Sequence, residues 1–241
     1  MAVSVDTVYQ KVLALANKEQ RGYITPQEFN LFANQAQMEI FEQYFYDINQ
    51  FGRLPRNDTE YSDMIDILEE KISIFEKFKV AMSAMSGNQA TVPTDLYRLG
   101  TVWYGAAGYD VEVEKVGKKE LEYMLRQKLT SPVDKRPVYT RKSNTLLKLF
   151  PSSPSTSYST SNVTCNYIAK PADVNWSYTV VNEQALYNST ASDLQNFEVH
   201  ASEETSLVIK ILELAGITIK QTDIVQFAAQ EDIQKTQLEK Q

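Results

Sequence analysis

Asn17 to Glu28 is the stretch of this chain that comes nearest to metal-ligand spacing. It aligns with the EF-hand calcium loop, with Gly22 at the sixth position, Ile24 at the eighth, Thr25 at the ninth and Glu28 at the twelfth. Calcium needs hard oxygen ligands at the first, third and fifth positions, where the chain offers Asn17, Glu19 and Arg21. Arg21 sets a positive charge beside a divalent cation, and Asn17 lacks the charge usually found first. The same residues also read as a helix stop at Gly22 followed by a capping box. In that reading Thr25 is the N-cap, Pro26 the first helical residue, and Glu28 reaches back to the N-cap backbone.

Other catalytic chemistry is hard to assemble. His200 is the single histidine, so one chain cannot hold a multi-histidine metal site. No Gly-X-Ser-X-Gly elbow is present for it to serve as a base. It precedes an apolar helix, beside Ser202, Glu203 and Glu204, where a helix-start role is expected. The eight glycines form neither a P-loop nor Gly-X-Gly-X-X-Gly, so no phosphate-cradling loop is expected. Glu69-Glu70 and Glu203-Glu204 are adjacent, diverge on a helix surface and read as solvated charge. Cys165 is alone, which excludes an intramolecular disulfide and a disulfide-stapled secreted fold. Lying in strand-like sequence, it reads as a small buried hydrophobe. The expectation is a protein that is not an enzyme, with no catalytic, cofactor-binding or metal-ligating residues.

Composition narrows the partners. The chain has 241 residues, enough for one large core or two small ones. Its 24 basic and 31 acidic side chains give −7, which speaks against attraction of the whole chain to nucleic-acid phosphate. A basic cluster remains at Lys115, Lys118, Lys119, Arg126, Lys128, Lys135, Arg136, Arg141 and Lys142, as a local patch or as a solvated rim. No basic and apolar leader is visible at the start, and no run approaches the roughly 18 apolar residues of a membrane span. A soluble product of a reducing cytoplasm, without membrane contact, is expected. Among 14 Tyr, 10 Phe and 2 Trp, the group Phe41, Tyr44, Phe45, Tyr46 and Phe51 is wider than one helix face. It suits either core packing or an intersubunit surface.

Three zones would position these residues. Residues 4 to 86 carry helical spacing: Val5, Val8, Val12 and Leu15, then Phe29, Phe32, Ala33, Ala36, Ile40, Phe41 and Tyr44 after the capping box. A polar connection through Gly52, Pro55, Asn57 and Asp58 leads to a third helix with Met64, Ile65, Leu68, Ile72 and Phe75, and Ser86-Gly87-Asn88 ends the zone. Residues 90 to 178 change to alternation, in 111–116 and in 164–168, with a short helix at about 118–127. The Ser/Thr/Pro stretch 151–162 has too little apolar surface to pack and reads as an exposed hairpin tip. Residues 181 to 241 return to helix: Leu207, Val208, Ile211, Leu214 and Ala215 stop at Gly216, and a last helix begins near Thr222 before the polar end Gln234–Gln241. The fold class is α+β: a helical bundle from 1–89 and 181–241 with an inserted antiparallel β-module at 90–180.

Proline-anchored phrases run through the β zone. They are Val92-Pro93-Thr94-Asp95-Leu96-Tyr97-Arg98-Leu99, Arg136-Pro137-Val138-Tyr139-Thr140, Leu147-Lys148-Leu149-Phe150-Pro151 and Tyr167-Ile168-Ala169-Lys170-Pro171-Ala172. In this order, over about Thr91 to Val174, they resemble the head–tail adaptors of short-tailed bacteriophages, of the tail-tubular-A type, and the related ring proteins of crAss-like phages. The length of 151–162 and the acidic-polar C-terminal segment depart from that pattern. The resemblance implies a structural protein of the virion neck, made in the host cytoplasm. It implies a homo-oligomeric ring, commonly twelvefold, bound to the portal protein and to tail or further ring proteins. Genomic DNA would pass through its channel without sequence-specific binding. Another tail or baseplate component, or a calcium-responsive accessory protein, are the alternatives.

Overall fold

The computed structural model describes residues 3–17, 24–51, 64–106, 109–154, 156–219 and 230. The helices are α1 (Val5–Asn17), α2 (Pro26–Phe51), α3 (Met64–Ser73), α4 (Lys118–Arg126) and α5 (Glu204–Ile219). The strands are β1 (Glu76–Ala81), β2 (Ala84–Ser86), β3 (Gln89–Thr91), β4 (Leu96–Ala106), β5 (Tyr109–Lys115), β6 (Val138–Arg141), β7 (Leu146–Phe150), β8 (Val163–Ala169), β9 (Tyr178–Val181) and β10 (Gln184–Tyr187). The fold is α+β. Contacts divide it into two compact units, residues 75–170 and residues 1–74 with 171–241.

In the first-and-last-segment unit, α1 buries Val5, Val8, Tyr9 and Val12, while Leu15 faces solvent. The long α2 buries Phe29, Ala33, Ala36, Ile40, Phe41, Tyr44 and Phe45, and α5 buries Leu207, Val208, Ile211 and Ala215. The expected stop at Gly216 does not occur, and α5 runs through it to Ile219. A glycine inside a helix costs only about 1 kcal/mol relative to alanine, which packing of an apolar face exceeds. The expected last helix from Thr222 and the end from Gln234 lie outside the described residues, Gln230 excepted.

Polar side chains of α2 hold this unit's extended segment. Asn34 donates to the Val174 carbonyl (3.0 Å) and accepts from the Val174 N–H (2.6 Å). Asn30 accepts from the Trp176 N–H (2.8 Å), and Gln37 donates to the Ala172 carbonyl (2.8 Å) while accepting from the Glu198 N–H (3.0 Å). Asparagine and glutamine carry both donor and acceptor, so one amide can serve as an N–H and C=O of a neighbouring strand would. The spacing matches. Four helical residues rise about 6 Å and two strand residues about 6.6 Å, so Asn30 and Asn34 meet alternate residues of 172–176.

In the 75–170 unit the strand order is β1-β8-β4-β5-β6-β7-β3-β2. The two ends of that order are consecutive in the chain. Met82 donates to the Val163 carbonyl on one side and Ser83 to the Thr91 carbonyl on the other (3.2 and 3.0 Å), so the sheet closes on itself through one bent stretch. Closure limits unpaired edge, and it encloses Val102, Tyr104, Leu147, Leu149, Val163 and Cys165. Alternation in β8 is regular: Val163, Cys165, Tyr167 and Ala169 are buried and the residues between them half-buried. The sheet is mixed rather than wholly antiparallel. β5 and β6 run parallel, with α4 in the long crossover a parallel pair requires, and Leu121 of α4 packs on Val116, Val138 and Phe150.

Strands begin earlier than the sequence reading places them. Residues 76–86, expected within the helical zone, form β1 and β2, β3 follows at Gln89–Thr91, and Phe75 is buried in this unit. β1 lacks alternation because it is bulged between Lys77 and Val80, with Lys79 at φ 49°. Gly87-Asn88 is the two-residue turn of the β2–β3 hairpin, and Gly87 takes φ 60° at the first central position, as a type II′ turn requires. The stretch 151–162 is also more than an exposed tip. Tyr158 is buried against Tyr104, donates to the Pro151 carbonyl (3.1 Å), and Tyr104 donates to the Thr156 carbonyl.

Candidate interaction surface

The nearest thing to a metal motif is occupied by helix capping. The Thr25 N–H donates to Glu28 Oε2 (2.9 Å), the Thr25 hydroxyl donates to the same oxygen (2.8 Å), and the Glu28 N–H donates to Thr25 Oγ1 (3.3 Å). These bonds favour the charged form, so the Glu28 carboxyl sits below its usual range, the Thr25 backbone N–H contributing most. Lys18, Glu19, Gln20, Arg21, Gly22 and Tyr23, like the connection Gly52–Asp58, lie outside the described residues. Among the described residues no group of three His, Cys, Asp or Glu side chains comes together.

His200 caps the 3-10 turn Ala201–Glu203 that leads into α5. Its Nδ1 accepts from the Ser202 N–H (3.3 Å) and lies 2.9 Å from Ser202 Oγ, which assigns the ring proton to Nε2. Glu203 and Glu204 diverge, and it is Glu203 that departs from the solvated charge expected. Glu203 is buried and bonds Lys71 of α3 at 2.7 Å, with side-chain exposures of 6 and 14%; Glu204 reaches Lys11 of α1 at 2.6 Å. The sequence shows no sign of the Lys71 pair, since 132 residues separate its members. Cys165 is buried between sheet neighbours, and burial, with the nearby Asp95 charge, pushes its thiol up to about 11. Tyr167 is likewise pushed up to about 12, by burial first and then by its bonds to the Asp95 carboxylate (3.0 and 3.1 Å).

What remains uncommitted is surface. The aromatic group on α2 resolves into buried Phe41, Tyr44 and Phe45 and an exposed Tyr46, the Phe51 side chain lying outside the described residues. Tyr46 closes a solvent-facing stripe of α2: Leu31, Gln35, Glu39, Glu42 and Tyr46, at helical spacing over about 22 Å. Leu31 and Tyr46 are 70 and 65% exposed. A second surface surrounds α4 and the loop after it. There Tyr123, Leu125, Leu129 and Val133 are exposed, Leu129 at 94%, among the basic side chains singled out in the sequence. All nine of those lie in residues 115–142 with only Glu120, Glu122 and Asp134 against them, and none is in an ion pair among the described residues.

Two further exposed features have less charge. Val180, Val181 and Leu186 project from the β9–β10 hairpin, whose base Tyr178 and Tyr187 stack on Trp176 at 5.7 and 5.8 Å. Phe78, 73% exposed, borders a groove of about 430 Å³ beside Lys77, Arg98 and Ile168. That groove opens where β1 and β4 both bulge opposite Asn166. Gly100 suits this close approach: a Cβ there would lie 3.0 Å from the Asn166 carbonyl oxygen, a tight contact with backbone.

Among the described residues no helix is long and apolar enough to cross a membrane. Comparison with protein-family models and with curated proteins finds no match.

Proposed function

We propose that this protein is a structural, non-enzymatic component of a bacteriophage neck, a head–tail adaptor that forms a ring beneath the portal and presents a docking surface to the tail. The observation that carries the reading is the arrangement of the chain. A mainly helical unit drawn from both chain ends is interrupted by the 75–170 unit, which holds the proline-anchored phrases up to Lys170. Large exposed apolar side chains on both units, Leu31 and Tyr46 on one and Leu129 and Phe78 on the other, support an assembling protein. The titratable groups that could have done chemistry are taken up in structure: Glu28 in a cap, His200 in a cap, Glu203 in an ion pair and Cys165 in the core.

The test is binding. Purified protein mixed with portal rings of the same phage should co-sediment with them, and a reconstruction of the neck should show this chain in a ring around the DNA channel. Binding to tail proteins with none to portal would move the protein to a tail or baseplate role. Heat on calcium titration, abolished by Glu28→Gln, would overturn the structural reading in favour of a calcium-responsive one.

A further inference from the structure

We infer that the basic, apolar surface of α4 and its following loop binds the acidic stripe of α2 in a second copy of the chain. This rests on the ring reading and deepens it by naming the two faces that meet. Its first support is how charge is distributed. Residues 75–170 carry 14 basic and 8 acidic side chains, a net of +6, whereas residues 1–74 with 171–241 carry 10 and 23, a net of −13. An overall −7 therefore conceals two units of opposite sign. Opposed fields of that kind steer association and fix the orientation of partners.

The α4 surface carries its charge where the helix itself is not helped by it. Lys118 and Lys119 occupy the first turn, the end where the macrodipole favours acidic residues, and the N-cap Gly117 contributes no side-chain bond. The surface also leaves Leu125 and Leu129 in water beside Arg126 and Lys128. An interface core of this composition matches a face with apolar ends and carboxylates between them. Leu31, Glu39, Glu42 and Tyr46 form such a face, and all four side chains are exposed. The two faces differ, so contact between them is heterologous, and repetition of a heterologous contact gives a closed ring or an open filament. Covering the patch with protein also removes a difficulty. A bare cluster of nine cations next to packaged DNA would grip phosphate with strong, salt-dependent affinity.

Charge exchange tests the pairing. Lys119→Glu/Lys128→Glu and Glu39→Lys/Glu42→Lys, followed by sedimentation velocity at low and moderate salt, should each weaken self-association about tenfold or more, roughly the coupling of a few charge pairs. All four changes in one chain, or a one-to-one mixture of the two variants, should restore it, because every contact again joins opposite charges. Leu129→Asp, at a site almost wholly in solvent, should weaken association without affecting folding. A combined variant no better than its parents, or a wild-type chain that stays monomeric at low salt, overturns the inference. So does a lysine variant that loses binding to duplex DNA while self-association is unchanged, which makes the patch a nucleic-acid surface. Portal binding by the same proteins separates the two readings. A wild-type chain that binds portal, with self-association indifferent to all the variants, removes this pairing and leaves the adaptor standing.

Discussion

In residues 75–170, buried backbone groups find other backbone groups: β8 is paired along one side to β1 and along the other to β4. In the other unit the extended segment 172–176 finds helix side chains instead, Asn34 taking both the N–H and the C=O of Val174. The first arrangement spreads the satisfaction of polar groups over a ladder in which no single side chain is indispensable. The second concentrates it in a few side chains whose partners lie 135 to 161 residues away. Single polar substitutions should therefore be far more damaging in the helical unit. The two tryptophans make the contrast measurable, since Trp103 lies in the 75–170 unit and Trp176 in the other. In a Trp103→Phe background, fluorescence reports the helical unit alone.

The largest effect expected is at Lys71. Lys71→Met removes the ammonium bonded to buried Glu203 and should destabilise the helical unit by about 3–5 kcal/mol in urea unfolding followed through Trp176. Lys71→Met/Glu203→Leu should regain most of that loss, because the cost is that of a buried charge and not of lost packing. Equal instability in the single and double variants would show that packing, not charge, decides this site. Next comes Asn34→Ala. It strips two part-buried backbone groups of their partners at about 1–2 kcal/mol each, so about 2–4 kcal/mol should be lost on the same probe. A half-buried polar change in the β unit that touches no backbone partner, such as Thr164→Ala, should cost under about 1 kcal/mol. Comparable losses at Asn34 and Thr164 would dissolve the contrast between the units.

The same contrast explains what could be read from the sequence. The capping box at Thr25 and Glu28 and the alternation of 164–168 were legible because each is decided by residues within one turn or one strand. Asn30, Asn34 and Gln37 were not, although their spacing places them on one face of α2. A polar stripe on a helix looks the same whether it meets water or a strand. Glu203 was misread as solvated for the same reason, its partner being on a distant helix. β1 was missed because its bulge destroys the alternation that announces a strand, and the glycine of its neighbouring hairpin mimics a helix stop. Tyr158 was overlooked because one aromatic in a Ser/Thr/Pro stretch leaves its composition polar, yet one aromatic suffices to pin the loop. Of the interaction surface, the basic cluster was visible from 115–142 alone. That Leu31 and Tyr46 share an outward face needed the fold to show which side α2 buries.

Alkaline pH should separate the units from the other direction. Cys165 is raised from its ordinary 9 to about 11 and Tyr167 from 10 to about 12. For a group raised in the folded state, the stability it contributes is complete below the unfolded value and is lost as pH rises through the folded one. The 75–170 unit should thus weaken from about pH 9 upward, with most of the loss complete near pH 11 to 12. Cys165→Ala should flatten the first part of that decline at a modest cost at neutral pH. Trp176 fluorescence, reporting the other unit, should show no matching transition with that variant. A Cys165 thiol that reacts freely with an aromatic disulfide reagent at pH 8 would contradict the burial on which this rests.

The smallest effect tests whether the β-hairpin of the helical unit obeys sheet rules. The β9–β10 hairpin turns through Asn182 and Glu183 at φ 51° and 65°, the pair of left-handed residues a type I′ turn needs. Asparagine tolerates that region, but glutamate does so at a cost of about 1–2 kcal/mol, partly offset on replacement by the greater chain entropy of glycine. Glu183→Gly should therefore stabilise the hairpin by about 0.5–1 kcal/mol, read as slower amide exchange across the hydrogen-bonded Val181–Gln184 and Thr179–Leu186 pairs. It also removes the only charge on a tip that carries Val180, Val181 and Leu186, without touching Glu39 or Glu42 of α2. Self-association should then be unchanged if α2 and α4 are the faces that meet. A Glu183→Gly chain that exchanges more slowly but associates more weakly would transfer the acidic face from α2 to the hairpin, and with it the geometry of the ring.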